Sequence, residues 1–305
     1  MSGYAARMGS YLAEMFPPGR HLAMAAATYL AMATFMRTAH HVDSSVWSPY
    51  LLLGIWSYFA VPLMLRLMDE LKDADIDRAL FADRPLPSGR VTERDIRRSL
   101  AAAMLLYLGS NLFMPTTLLA AGAITLYAVL MFKRFFAERV LRASLPITLL
   151  THNPIVPLSL AYGVFLFAAE HAVPLGALDW RAISIALLML WAPFLAWEFS
   201  RKIRAPGQED AYVTYSQLLG LRGAVAAVLI TQGAGVAAAL CLTVLLPASP
   251  LLVLIPALAW LVSARAGWRF LRRPNATTSR LRPFAELFLI ATLTGALVAF
   301  RAKLL

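Results

Sequence analysis

Between Asp69 and Arg90 the chain reads DELKDADIDRALFADRPLPSGR, and five carboxylates fall in its first nine residues. On a helix turning about 100° per residue, Glu70, Asp73 and Asp77 all point within roughly 100° of Asp69, while Asp75 points away. Four like charges on one face repel one another unless a cation sits among them. Hard carboxylate oxygens suit Mg²⁺, which keeps several waters and usually also binds substrate phosphate. The plainer reading is a solvated cap at the end of an apolar helix. Against it stand Arg84, Ser88 and Arg90, which follow at once in RPLPSGR, where Pro85, Pro87 and Gly89 make a rigid turn. Guanidinium forks match phosphate oxygens. Metal-binding acids beside such a turn suit a diphosphate.

The elements that must position these residues are apolar. Of 305 residues, 60% are hydrophobic and 15% charged, against about 45–50% and about 25% in soluble domains. The apolar residues come in blocks of bilayer length. Nine spans are expected, at about 21–38, 47–69, 97–113, 115–132, 143–168, 182–200, 222–246, 249–265 and 284–301. The expected fold is an all-α membrane protein, a bundle of nine transmembrane helices. It forms a single polytopic domain over 1–305, with residues 1–20 lying at the interface. Cys241 is the one cysteine, so no disulfide forms within the chain.

The net charge of +11 follows membrane topology, not nucleic acid. Of 28 Lys and Arg, 24 lie in the N-terminal tail or the regions 66–98, 133–142, 201–222 and 265–282. Nine spans put all of these on one side, which the positive-inside rule makes cytoplasmic. The N-terminus is then inside and the C-terminus outside. The expected location is a bacterial inner membrane. His152 and Asn153 in the fifth span, and Asn111 late in the third, are polar at membrane depth and are candidates for lining a chamber.

The acidic stretch followed closely by RPLPSGR resembles the UbiA superfamily of intramembrane prenyltransferases. The family carries N/D-D-x-x-D-x-x-x-D at the end of its second helix and then R-P-[LI]-P-S-G-R. Asp69, Glu70, Asp73 and Asp77 fill the four acidic positions, although Asp-Glu replaces the usual Asn-Asp opening. The resemblance implies a UbiA-like bundle in which Asp69, Glu70, Asp73 and Asp77 hold Mg²⁺ and through it an isoprenoid diphosphate. The family often has Tyr-x-x-x-Lys-Arg after the fourth span. On that likeness Tyr127 and Lys133, with five residues between them here instead of three, face the same cavity, whereas Arg134 reads as an ordinary positive flank.

The family's second acidic motif corresponds to WEFSRKIRAPGQEDAYVTYSQLLG, from Trp197 to Gly220, where its spaced aspartates are missing. Glu198 and one of Glu209 and Asp210 are the acids left for a second metal, while Arg201, Lys202 and Arg204 can neutralise diphosphate charge. The alternative for Glu198 and Lys202 is a helix-face ion pair. Tyr212 and Tyr215 either bind phosphate or pack at the interface.

The expected activity is Mg²⁺-dependent transfer of a prenyl group from an isoprenoid diphosphate to an aromatic or lipid-soluble acceptor. Asp73, Asp77, Lys133 and Lys202 are expected to carry the chemistry, and Arg84, Ser88, Arg90, Arg201, Tyr127 and Tyr215 to hold the diphosphate. Two rivals stay open. One is a terpene cyclase on the same fold, in which the chain's own double bond captures the cation. The other is a divalent-cation transporter, which would have no evident use for RPLPSGR.

Overall fold

The computed structural model describes residues 3–209 and 213–300. All regular structure among them is helical: α1 (Tyr4–Met15), α2 (Pro18–Ala39), α3 (Pro49–Lys72), α4 (Ala74–Leu80), α5 (Glu93–Gly109), α6 (Pro115–Phe132), α7 (Glu138–Ala143), α8 (Leu145–His152), α9 (Ile155–Glu170), α10 (Trp180–Arg201), α11 (Tyr215–Leu245), α12 (Leu251–Arg272) and α13 (Arg282–Ala299), with short 3₁₀ turns at Arg134–Phe136 and Leu175–Ala177. Among the described residues, seven segments are long and apolar enough to cross a membrane: α3, α6, α8 with α9, α10, α11, α12 and α13. The expected first and third spans fall on α2 and on α5, which is only 17 residues long and opens on the polar stretch ERDIRR. Each of the nine expected segments therefore lies on helix, and the all-α membrane fold is the one observed.

The boundaries have local causes. Pro49 and Pro115 stand in the first turns of α3 and α6, where a missing N–H costs nothing. Capping boxes, Thr92 with Asp95 and Thr214 with Gln217, start α5 and α11. The expected fifth span is interrupted at Asn153–Pro154 between α8 and α9, because proline supplies no N–H to continue the ladder.

The chain divides into two compact units, one comprising residues up to Tyr29 with Ser48–Val173, the other Leu30–Trp47 with residues from Pro174 onward. In the first, α3 packs against α5, α6 and α9, and α6 against α9. In the second, α10 packs on α11 and α13, and α12 lies against both α11 and α13.

Close approach in the first unit depends on Gly54. A Cβ there would come within 2.2 Å of the Tyr29 ring, which is buried and set edge-on to Tyr58 at 5.7 Å. The ring has nowhere to move. Gly54→Ala is expected to destabilise the protein by about 1–3 kcal/mol through overpacking. A smaller residue at position 29, as in Tyr29→Leu, should recover much of that loss. Thermal unfolding of the single and double variants in detergent checks both; equal melting of Gly54→Ala and the parent would refute the contact.

α1 is docked to the same unit. Met8 and Tyr11 bury against Leu67, Val91 and Ile96. Arg7 donates from Nε and Nη2 to the Asp95 carboxylate at 2.9 and 2.7 Å, and Thr92 donates to it from N and Oγ1. These donors, Arg7 foremost, hold the Asp95 carboxyl well below the usual carboxylate range. A lowered folded pKa means that the unfolded chain binds more protons, so this contribution is fully present above the ordinary carboxylate pKa and is lost as pH falls through the folded value. Melting temperature measured from pH 6 downward is therefore expected to fall less steeply below about pH 4 in Asp95→Asn than in the parent. Parallel curves would remove the assignment.

Candidate active site

The first acidic motif is not one continuous helix, as the even turn per residue assumed. α3 ends at Lys72, Asp73 has φ −107° and ψ 14°, and α4 begins at Ala74. Asp69 and Glu70 thus close one helix, while Asp77 stands in the first turn of the next. Asp75 is exposed and pairs with Arg78, away from the others as expected.

Each of the four carboxylates meets a cation. Lys72 Nζ lies 2.6 Å from Asp69, and Arg66 pairs with Glu70 one turn along α3. Arg134 Nη2 donates to Asp73 at 2.9 Å, and Arg84 Nη1 donates to both oxygens of Asp77 at 2.8 and 2.9 Å. Among the described residues, no three His, Cys, Asp or Glu side chains share one point closely enough to hold a metal. The donor chemistry nevertheless fits Mg²⁺. All four candidates are carboxylates, and Glu70 is within electrostatic reach of Asp77 and Arg84.

RPLPSGR folds as a tight, self-bonded turn. Ser88 Oγ donates to the Arg84 carbonyl at 2.7 Å, and the Val91 N–H to that of Pro85 at 3.0 Å. Gly89 has φ +76°, a value that favours glycine. Arg84 lies 3.8 Å over the Phe81 ring. Arg90 reaches Ser88 Oγ, the Asp83 carbonyl and, with both terminal nitrogens, Glu14 of α1. The turn thus ties Arg84 to the acidic motif and Arg90 to α1.

The element after α6 differs from expectation. Lys133 is exposed, its Nζ 5.3 Å from the Phe132 ring. The residue that reaches the acidic motif is Arg134, bonded to Asp73, to Glu138 and, at 3.4 Å, to the Lys72 carbonyl. Arg134, Phe135 and Phe136 all have positive φ, 49°, 49° and 56°. This left-handed turn costs about 1–2 kcal/mol per residue. It is held by the Arg134 bonds and by Phe135, whose ring lies 5.5 Å from Tyr127 and 5.9 Å from His152.

His152 is within electrostatic reach of Lys72, Asp69 and Arg134, so it belongs with the motif's surroundings. Tyr127 spends its O–H on the Thr151 carbonyl at 2.8 Å. Asn153 caps α8 and is half-buried. Asn111 is fully buried, donates to the Tyr107 carbonyl at 2.8 Å and accepts from Tyr162 O–H at 2.7 Å. It is a tie between helices, not a chamber wall.

In the second unit, Glu198 sits between Arg201 Nε at 2.5 Å and Lys202 Nζ at 3.2 Å, the helix-face pairing that was the alternative to a metal site. Lys202 is buried, 5.9 Å from the ring of Tyr215, which is buried too. Glu209 is exposed. Asp210 and Tyr212 lie outside the described residues.

No family model and no curated protein matches the sequence. Two solved structures match the fold. A digeranylgeranylglyceryl phosphate synthase of membranes is 17% identical with a TM-score of 0.63, over 98% of this chain and 100% of its own. A UbiA homolog from Aeropyrum pernix K1, in its apo form, is 17% identical with a TM-score of 0.65, over 89% of this chain and 96% of its own. With seven membrane-length apolar helices among its described residues, the protein is an integral membrane protein with the UbiA-like fold of these two structures.

Proposed function

We propose that this protein is a Mg²⁺-dependent prenyltransferase that ionises an isoprenoid diphosphate and hands the prenyl group to an aromatic or other lipid-soluble acceptor. The observation that carries the reading is the set of carboxylates at the α3–α4 break, tied through Asp77 to Arg84 of the rigid RPLPSGR turn. Asp69, Glu70, Asp73 and Asp77 would hold Mg²⁺, which when bound neutralises charge on the diphosphate leaving group. Arg84, Arg90 and Arg134 add fixed positive charge where negative charge develops as the C–O bond breaks. The departing diphosphate keeps the bonding electron pair, the acceptor's nucleophilic carbon or oxygen attacks the allylic cation, and the acceptor loses a proton. The proposed orientation has this motif facing the cytoplasm, as the basic loops require.

The test is diphosphate release by purified protein given Mg²⁺ and farnesyl or geranylgeranyl diphosphate, with and without an aromatic or lipid acceptor. Release that depends on Mg²⁺ and on acceptor supports the transferase. Release without acceptor, with a cyclic hydrocarbon or terpene alcohol in the extract, makes it a cyclase. Absence of release under all conditions, with metal flux into liposomes, replaces both with a transporter.

A further inference from the structure

The second unit holds a cavity of about 400 Å³ between the loop after α10 and the loop before α13, and four arginines line it: Arg201, Arg204, Arg280 and Arg282. Pockets for small ligands run from about 300 to 1,000 Å³. No guanidinium can shed its proton, so this cluster repels itself unless an anion enters. Arg201 pairs with Glu198 and Arg282 with Glu286. Among the described residues the Arg204 guanidinium donates only to backbone carbonyls, those of Arg201 and Ile203, and Arg280 forms no side-chain bond or ion pair. Among the described residues, two of the four charges therefore meet no carboxylate.

The walls are pre-set. Gln208 Oε1 accepts from Ser279 Oγ at 3.0 Å and from the Ala205 N–H at 3.3 Å, which locks the two loops together. Asn275 Oδ1 accepts from the N–H groups of Thr277 and Thr278, both at 3.0 Å, which fixes the turn that leads to Arg280. α13 starts at the cavity with no side-chain cap on its first turn.

The depth is set by Trp197. Its ring lies 5.3 Å from the guanidinium carbons of both Arg201 and Arg282, and its indole N–H donates to Glu286. Tryptophan collects at the level of lipid headgroups, and α10 and α13 are both membrane-length helices. On that reading the cavity lies near the level of lipid phosphates.

We propose that this cavity binds the phosphate group of an anionic lipid, with Arg204 and Arg280 as its principal ligands. The proposal does not depend on prenyl transfer. Thermal unfolding of the full chain in zwitterionic detergent tests it, with dioleoylphosphatidic acid, dioleoylphosphatidylcholine or inorganic phosphate added. Phosphatidic acid is expected to raise the melting temperature saturably by about 2 °C or more over phosphatidylcholine. Arg280→Gln, at an exposed side chain that makes no bond among the described residues, is expected to fold and to lose about half of that shift, and Arg204→Gln/Arg280→Gln nearly all of it. Arg273→Gln, outside the cavity, should keep it. An equal shift from inorganic phosphate that is lost in Arg280→Gln would keep the phosphate site but overturn the lipid as its source. A phosphatidic acid shift that survives in Arg280→Gln and in the double variant, or no shift from either phosphate compound, overturns the site.

Discussion

Asp73→Asn and Asp77→Asn are each expected to lower Mg²⁺-dependent diphosphate release about 100-fold or more, with little loss of folded protein. The expectation of large functional loss follows from charge. Asparagine keeps the shape and one acceptor oxygen but removes the negative charge that a divalent cation requires. The expectation of small structural loss follows from the exposure of Asp73 and of the cation that Asp77, itself buried, would release. Asp73 is 37% exposed and its partner Arg134 can still bond Glu138. Arg84, released from Asp77, is 33% exposed and still stacks on Phe81. Neither change strands a fully buried cation, the case in which a broken pair costs several kcal/mol. Asp75→Asn is the internal control, since Asp75 is exposed and bonded only to Arg78. The measurement is a titration of Mg²⁺ against diphosphate release in all three variants beside their melting temperatures. Parental turnover in both Asp73→Asn and Asp77→Asn would end the metal assignment. Loss of activity together with collapse of the melting temperature would make the motif structural.

Much of the fold was legible because membrane helices announce themselves in one dimension. Length, apolarity and the prolines at Pro49 and Pro115 are local signals, and the helices begin where those signals stand. The motif was legible in composition but not in geometry. Asp69 to Asp77 read as one face of one helix, yet the chain breaks at Asp73, and no residue there is a glycine or proline that would mark it. The partners at short spacing, Arg66 with Glu70 and Lys72 with Asp69, were available as i,i+4 and i,i+3 pairs. The engagement of Arg90 by Glu14 was not, because 76 residues separate them. The interior polar residues divided according to what surrounds them. His152 lies near Asp69 and Lys72, while Asn111 satisfies both ends of its amide within the helix packing. Sequence depth alone cannot distinguish a wall from a tie.

Arg134 is where spacing misled most, and it carries the second large prediction. Lys133 and Arg134 are adjacent basic residues after a membrane helix, and nothing in their order says which turns back toward α3. The left-handed turn at 134–136 decides it, and an L-residue run with positive φ leaves no sequence signature when it contains no glycine. Strain of this kind persists only where the surroundings over-determine it, and it gathers at functional sites. Here Phe135 between Tyr127 and His152, and Arg134 between Asp73 and Glu138, supply that determination. Arg134→Gln should therefore free the turn and misplace Asp73 together with His152. A misplacement of about 1 Å is enough for a loss of roughly 10–100-fold in kcat/KM. Arg134→Lys keeps the charge but cannot span Asp73, Glu138 and the Lys72 carbonyl at once, so it should recover only part of the loss. Lys133→Gln, removing an exposed ammonium over Phe132, should stay within about threefold of the parent, in keeping with the small effect of exposed charges. Steady-state diphosphate release for the three variants decides the matter, and the order Arg134→Gln, Arg134→Lys, Lys133→Gln from most to least impaired is the expected one. If Lys133→Gln is as impaired as Arg134→Gln, the lysine acts on the substrate directly and the turn serves to present it.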